Sequence, residues 1–219
     1  MNVMNAWMGA MPLLLQALGQ TLLLAAIASI IAMVVGFLMT QAGILGGRSI
    51  EFTVRCVVEA VRGVPLLVFI LLTYYALPKI GIRVGAFSAG AVALGLFFAC
   101  FVADILRGAF KIIPRVQTEA GKALGMGFWR IQTTVLLPQV LRVALPPLMN
   151  LAAIVIKATS VVSMIGVWEL TMATNEVVMR TMAPFTFFLT AMFLYFVLCY
   201  GTVRCAGIAS SRLNLSQRK

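Results

Sequence analysis

Residues 1–47 contain no charged side chain, and residues 181–203 form a second charge-free run. About 20 consecutive apolar residues suffice to cross a bilayer as a helix, so segments of these lengths dictate where the chain can live. Composition agrees, because 62% of the 219 residues are hydrophobic and only 11% are charged, whereas about a quarter of a soluble domain is charged. An ordinary soluble enzyme is excluded. The four Cys (56, 100, 199, 205) lie in or beside apolar segments without CxxC spacing, and there is no His to complete a metal site. They read as packing residues rather than metal ligands or disulfide partners.

Five spans are expected, at about 13–39, 63–77 with an approach from Phe52, 85–106, 141–167 and 184–203. They make a single transmembrane domain over 13–205, followed by a tail over 206–219. Nothing before the first span resembles a cleavable secretory signal, so it reads as an uncleaved anchor. Basic loops are retained in the cytoplasm, and the Lys and Arg residues divide unevenly. Arg48, Arg55 and Arg62, then Arg107, Lys111, Arg115, Lys122, Arg130 and Arg142, then Arg204, Arg212, Arg218 and Lys219 share one side; only Lys79, Arg83 and Arg180 fall on the other. The expected topology is N terminus outside and C terminus cytoplasmic. The net charge of +11 follows from that topology, with no basic patch on a water-soluble face to suggest nucleic-acid binding.

The cytoplasmic connection over 107–140 is far longer than the links usual between packed helices. Pro114 suits the first turn of a short helix through Arg115, Val116, Glu119, Ala120, Lys122, Ala123 and Leu124, with Gly125 and Gly127 placed to end it. A second helix can start near Phe128, and Pro138 marks the entry to the fourth span. The short helix offers Ala120, Gly121, Ala123 and Gly125 for close backbone approach, and Arg115, Glu119 and Lys122 for charged contacts. Two readings fit: a peg for another protein's cleft, or an amphipathic helix lying on the membrane.

Glu119-Ala120-Gly121, three residues, Gly125, nine residues, then Val135-Leu136-Leu137-Pro138 resembles the EAA loop of ATP-binding-cassette importer permeases. Gly121 and Val135 stand where that family usually has Ala and Ile. The segments Val61-Arg62-Gly63-Val64-Pro65-Leu66-Leu67, Ala103-Asp104-Ile105-Leu106-Arg107-Gly108, Leu137-Pro138-Gln139 and Leu145-Pro146-Pro147-Leu148-Met149-Asn150 resemble the polar-amino-acid subfamily. With Lys157-Ala158-Thr159-Ser160 and Ile165-Gly166-Val167-Trp168-Glu169-Leu170, the likeness covers about 13–201.

The resemblance implies a five-span permease subunit of a bacterial-type inner membrane. It implies a second permease copy or sister permease, two cytoplasmic P-loop ATPase subunits, and an extracytoplasmic binding protein that delivers a small polar solute. The helix around Glu119 would be the coupling helix, with Arg115, Glu119, Ala120, Gly121, Lys122, Ala123 and Gly125 meeting the ATPase. The chain itself has no P-loop: Gly121-Lys122-Ala123 has Val116 where the first Gly belongs and Ala where the hydroxyl belongs. It would carry no cofactor, and ATP and Mg would be bound by the partner ATPase. The six acids are scattered over ends and loops, so no catalytic constellation exists.

Lys157 lies inside the fourth span, where a charge normally faces a cavity or partner. At 100° per residue, Asn150, Lys157, Ser160, Met164 and Trp168 fall within about 80° of arc on this span, a polar stripe suited to a translocation path. Pro146 and Pro147 in the same span fit a bent, cavity-lining helix. The alternative is that Lys157 snorkels outward or pairs with Glu169. Thr159 and Ser160 offer hydroxyls to a ligand, or to their own backbone. Ala158 stands where the family usually has Asp, which weighs against a purely cationic amino acid. Asp104 and Arg107 can pair on one helix face or anchor the coupling loop, and the outer segment 169–183 is either a binding-protein contact or a surface or re-entrant helix. An ion-coupled secondary carrier is the competing class, but it needs a carboxylate in mid-span, and none of the six acids lies there.

Overall fold

The computed structural model describes residues 3–215, with side chains over 5–204. Tail residues 216–219, and the side chains of Cys205 and Arg212, lie outside this description. Among the described residues every regular element is helical: α1 (Val3–Leu45), α2 (Gly47–Arg62), α3 (Leu66–Ala76) with a 3-10 turn at Leu77–Ile80, α4 (Ala86–Ile112), α5 (Arg115–Ala123), α6 (Phe128–Arg130), α7 (Leu137–Ala158), α8 (Leu170–Thr181) and α9 (Pro184–Leu215). Four helical stretches are long and apolar enough to cross a membrane, and α2 with α3 makes a fifth if that bent pair is taken as one span. The chain is a multi-pass membrane protein.

Helices α1 and α4 pack along most of their length through two ridges of small residues. Ala28, Ala32, Gly36 and Thr40 recur every fourth residue on α1, and Ala91, Gly95, Ala99 and Ala103 do so on α4, so each set lies in one row of its helix. A side chain at Gly36 would put its Cβ 2.6 Å from Val102 Cβ and 2.7 Å from the Ala99 carbonyl, and one at Gly95 would sit 2.5 Å from Ile31 Cγ2. Small residues permit such approach where lipid is no worse a neighbour than another helix. Thr40 Oγ1 donates across the ridge to the Ala103 carbonyl at 3.3 Å. Because later residues of α1 meet later residues of α4, the two helices run in the same direction. The chain between them must therefore return across the bundle.

That return is broken. The segment read as a span over 63–77 is helical only from Leu66, because Pro65 fixes an extended N-cap and cannot donate to a continuing helix. The approach from Phe52 is part of a separate amphipathic helix, α2, inclined to the following helix by 105°. Only Val58 of α2 is buried, in a small cluster with Cys100 and Ala103.

The connection over 107–140 is mostly helix as well. Helix α4 continues to Ile112, and the stretch from Phe128 joins α7 through a π-helix at Ile131–Leu136. The π turn directly precedes Pro138, whose missing N–H and ring oppose ordinary α winding against the preceding turn. The helix is therefore rewound there and not restarted, as the sequence reading expected at Pro138.

Candidate functional site

Helix α5 begins after Pro114, whose extended backbone (φ −60°, ψ 136°) turns the chain out of α4. It ends in a Schellman cap. Gly125 N donates to the Lys122 carbonyl at 2.9 Å, and Met126 N to the Gly121 carbonyl at 3.0 Å. Gly125 has φ +71°, a conformation that Gly adopts without steric cost. Gly121 is the one buried residue of this helix, pressed on Ile131. Arg115, Glu119, Ala120, Lys122, Ala123 and Gly125 are all exposed, and Arg115, Glu119 and Lys122 have no ion-pair partner among the described residues. Val116 and Leu124 are exposed too, Leu124 by 80%. Sequence reasoning does not single these two out; they are apolar residues displayed on a helix whose one buried residue is Gly121.

On α4, Asp104 binds two cations. Its carboxylate accepts from Arg62 at 2.7 Å and from Arg107 at 2.8 Å, and Arg62 also lies over the Phe101 ring at 5.1 Å. The Asp104–Arg107 pairing anticipated from spacing is present. Arg62 adds a link from α4 to the break before α3. The pair is partly solvent-exposed, so its contribution is of the order of 1 kcal/mol or less.

The stripe drawn on the fourth span is not one helix face. The α-helix ends at Ala158, a 3-10 stretch follows over Thr159–Ile165, and Gly166 at φ +78° stops it. Lys157 and Ser160 do come together, lining a cavity of about 460 Å³ with Tyr195, Phe196, Met192 and Cys199 of α9. Asn150 and Met164 are exposed outside that cavity. Trp168 leaves the row because it follows Gly166; it packs with the cluster around Leu14, Ala17 and Leu170, and its Nε1 donates to Glu176 at 3.4 Å. Thr159 is fully buried and donates to the Ile156 carbonyl at 2.8 Å. Ser160 donates to the Lys157 carbonyl at 2.8 Å. Both hydroxyls thus take the backbone option, and Thr159 does not line the cavity. Ala158 is buried in the main core, away from the cavity.

Glu169 does not pair with Lys157. It is fully buried and caps α8, accepting from Met172 N at 2.9 Å, while Tyr195 Oη donates to its other oxygen at 2.7 Å. Burial pushes its carboxyl above the usual carboxylate range, only partly offset by these hydrogen bonds and those from Thr171. Tyr195 packs against both of the larger apolar clusters, so it joins the cavity to α8. Sequence reasoning missed it, since nothing marks this Tyr among the aromatic residues of α9. Helix α8 is an ordinary helix of twelve residues, Leu170–Thr181, with Arg180 paired to Glu176.

Residues 32–213 match the family described as binding-protein-dependent transport system inner membrane component. The chain belongs to this family. Among its relatives, the probable amino-acid ABC transporter permease protein YckA of Bacillus subtilis is 30% identical over 188 residues, 86% of this chain and 83% of that one. The glutamine transport system permease protein GlnP of Escherichia coli is 35% identical over 171 residues, 77% of this chain and 78% of that one. A crystal structure of an amino acid ABC transporter with histidines superposes with a TM-score of 0.86 at 28% identity, covering 94% of this chain and 96% of that one. An inward-facing MetNI methionine ABC transporter superposes at 0.79 with 20% identity, over 95% and 98% of the two chains, which shows a common fold. As an ABC importer permease, this chain is a transporter component and not an enzyme; ATP hydrolysis belongs to a separate subunit.

Proposed function

We propose that the chain forms, with a second copy or a sister permease, the translocation path for a polar amino acid or related small solute. In this reading α5 seats in the cleft of one of two cytoplasmic P-loop ATPase subunits, which bind ATP and Mg, and the chain itself needs no cofactor. An extracytoplasmic binding protein delivers the solute in a bacterial-type inner membrane. The chain crosses five times, with its N terminus outside and its C terminus in the cytoplasm. The observation that carries the reading is the exposed peg at Arg115–Ala123, capped at Gly125 and pinned only through Gly121. Membership of the importer-permease family favours a protein cleft over a membrane surface for this helix.

The Lys157 cavity suits the solute path. Its lining holds one cation and no carboxylate, an arrangement that attracts a ligand carboxylate and gives no partner to a guanidinium or second ammonium group. The relative named for glutamine transport supports that preference over a purely cationic solute. The ion-coupled carrier gains nothing from the structure, since Glu169, the only fully buried acid among the described residues, is engaged as a helix cap.

The test is uptake in proteoliposomes made with the co-purified complex and its binding protein, across a panel of neutral, acidic and basic amino acids. ATP-dependent accumulation of a neutral polar amino acid is expected. Uptake driven by an ion gradient without ATP would overturn the reading.

A further inference from the structure

A second cavity, about 320 Å³, lies between the end of α1, the inner side of α2 and the last turns of α4. Its apolar wall includes Met39, Val58 and Phe110, and Arg48, Arg107 and Lys111 stand around it. Charge is not balanced there. Arg107 is engaged by Asp104 at 2.8 Å, and Glu51, which also lines the cavity, is paired with Arg55 at 3.4 Å. Arg48 and Lys111 have no ion-pair partner among the described residues, so two cations remain uncompensated beside an apolar wall.

The setting specifies the depth. Helix α2 makes a 105° angle with the following helix and exposes Phe52 and Ile50 beside Arg48 and Arg55. Apolar residues interleaved with Arg characterise a helix lying in the membrane interface. A cavity roofed by such a helix opens at the level of lipid headgroups. Basic pockets between membrane helices on the cytoplasmic side select anionic headgroups.

We propose that this cavity is a binding site for one anionic phospholipid, its phosphate held by Arg48 and Lys111 and the start of an acyl chain lying along Met39, Val58 and Phe110. The site is separate from the solute path and from α5, and it gives the chain a preference for anionic membranes.

The test uses the purified importer complex incubated with vesicles of phosphatidylglycerol and phosphatidylcholine in equal amounts, with bound lipid measured by extraction and mass spectrometry. The wild-type complex is expected to retain phosphatidylglycerol in preference. Arg48→Ala with Lys111→Ala should weaken that retention by about 25-fold, at about fivefold for each cation. Gly43→Leu should weaken it comparably with the charges intact, because Gly43 lines the cavity and a Cβ there meets nothing closer than Glu51 Cα at 3.9 Å. Arg130→Ala with Arg142→Ala, which removes two exposed cations that do not line the cavity, should leave retention at the wild-type level; this pair decides the matter where Gly43→Leu yields no folded protein, since a loss equal to that of the Arg48 and Lys111 variant would mean diffuse surface attraction and overturn the site. Wild-type retention in a folded Gly43→Leu complex would reduce the effect to diffuse surface attraction and overturn the site. Displacement of the lipid by millimolar inorganic phosphate would make a soluble anion the ligand, and would overturn it too.

Discussion

Gly121 on α5 is packed so tightly against Ile131 that a Cβ at position 121 would lie 2.8 Å from Ile131 Cγ1. This contact ties α5 to the π-wound start of α7, the helix that carries Lys157; under the proposed coupling role it is the route by which a push on α5 would reach that helix. Gly121→Ala, which restores the residue usual in the resembled motif, is expected to cost about 1–3 kcal/mol through overpacking. Ile131→Ala in the same chain should recover part of that loss. Thermal unfolding of the two variants and the double variant, closed as a double-mutant cycle, checks the coupling.

The α1–α4 ridge makes a second expectation. Gly36→Leu forces a side chain against Val102 and the Ala99 carbonyl, where backbone cannot give way cheaply. A loss of about 1–3 kcal/mol or more follows from overpacking, with lower yield of folded complex. Gly9→Leu, at a position with nothing within 4 Å, should be tolerated. Size-exclusion profiles and melting temperatures in detergent distinguish the two.

Glu169 supplies a pH dependence whose sign is fixed. Because burial raises the Glu169 carboxyl, the folded protein takes up its proton at a higher pH than the unfolded chain does. The stability contributed by Glu169 relative to a non-titrating side chain therefore grows as pH falls through the raised value, and is lost as pH rises through it. The melting temperature of wild type minus that of Glu169→Gln should increase between neutral pH and the ordinary carboxylate range. A difference independent of pH would contradict it. Tyr195→Phe removes the 2.7 Å donor and should cost about 1–3 kcal/mol, since it leaves a buried acceptor short of a partner.

Lys157→Ala is expected to alter transport rate or solute preference while leaving insertion intact, because its ammonium has no ion-pair partner among the described residues and lines an open cavity. Uptake assays over the amino-acid panel check this. Wild-type behaviour for every solute taken up would make the lysine a packing residue.

What the sequence made legible was local. A proline before a helix and a left-handed glycine after it are read from neighbouring residues, which is why α5 and its end at Gly125 were placed closely. Asp104 and Arg107 were paired from three-residue spacing, a property of one helix. Arg62 escaped because its contact spans 42 positions, and Tyr195 because its bond to Glu169 depends on how α9 packs beside α8. The stripe over span four rested on a constant 100° per residue, and that failed where the winding changes to 3-10 at Thr159. The ridge of Ala28, Ala32, Gly36 and Thr40 was readable as a four-residue repeat of small side chains, but its value depends on an equal repeat on α4.

The seating of α5 in a separate ATPase is tested most directly by affinity purification of the tagged chain from membranes in mild detergent. A P-loop ATPase should accompany the wild-type chain. It should be lost from Glu119→Lys and from Leu124→Asp, both of which alter exposed residues and should still insert and fold. Undiminished recovery of the ATPase with both variants, or a wild-type chain that purifies alone and transports without ATP, would contradict that role for α5.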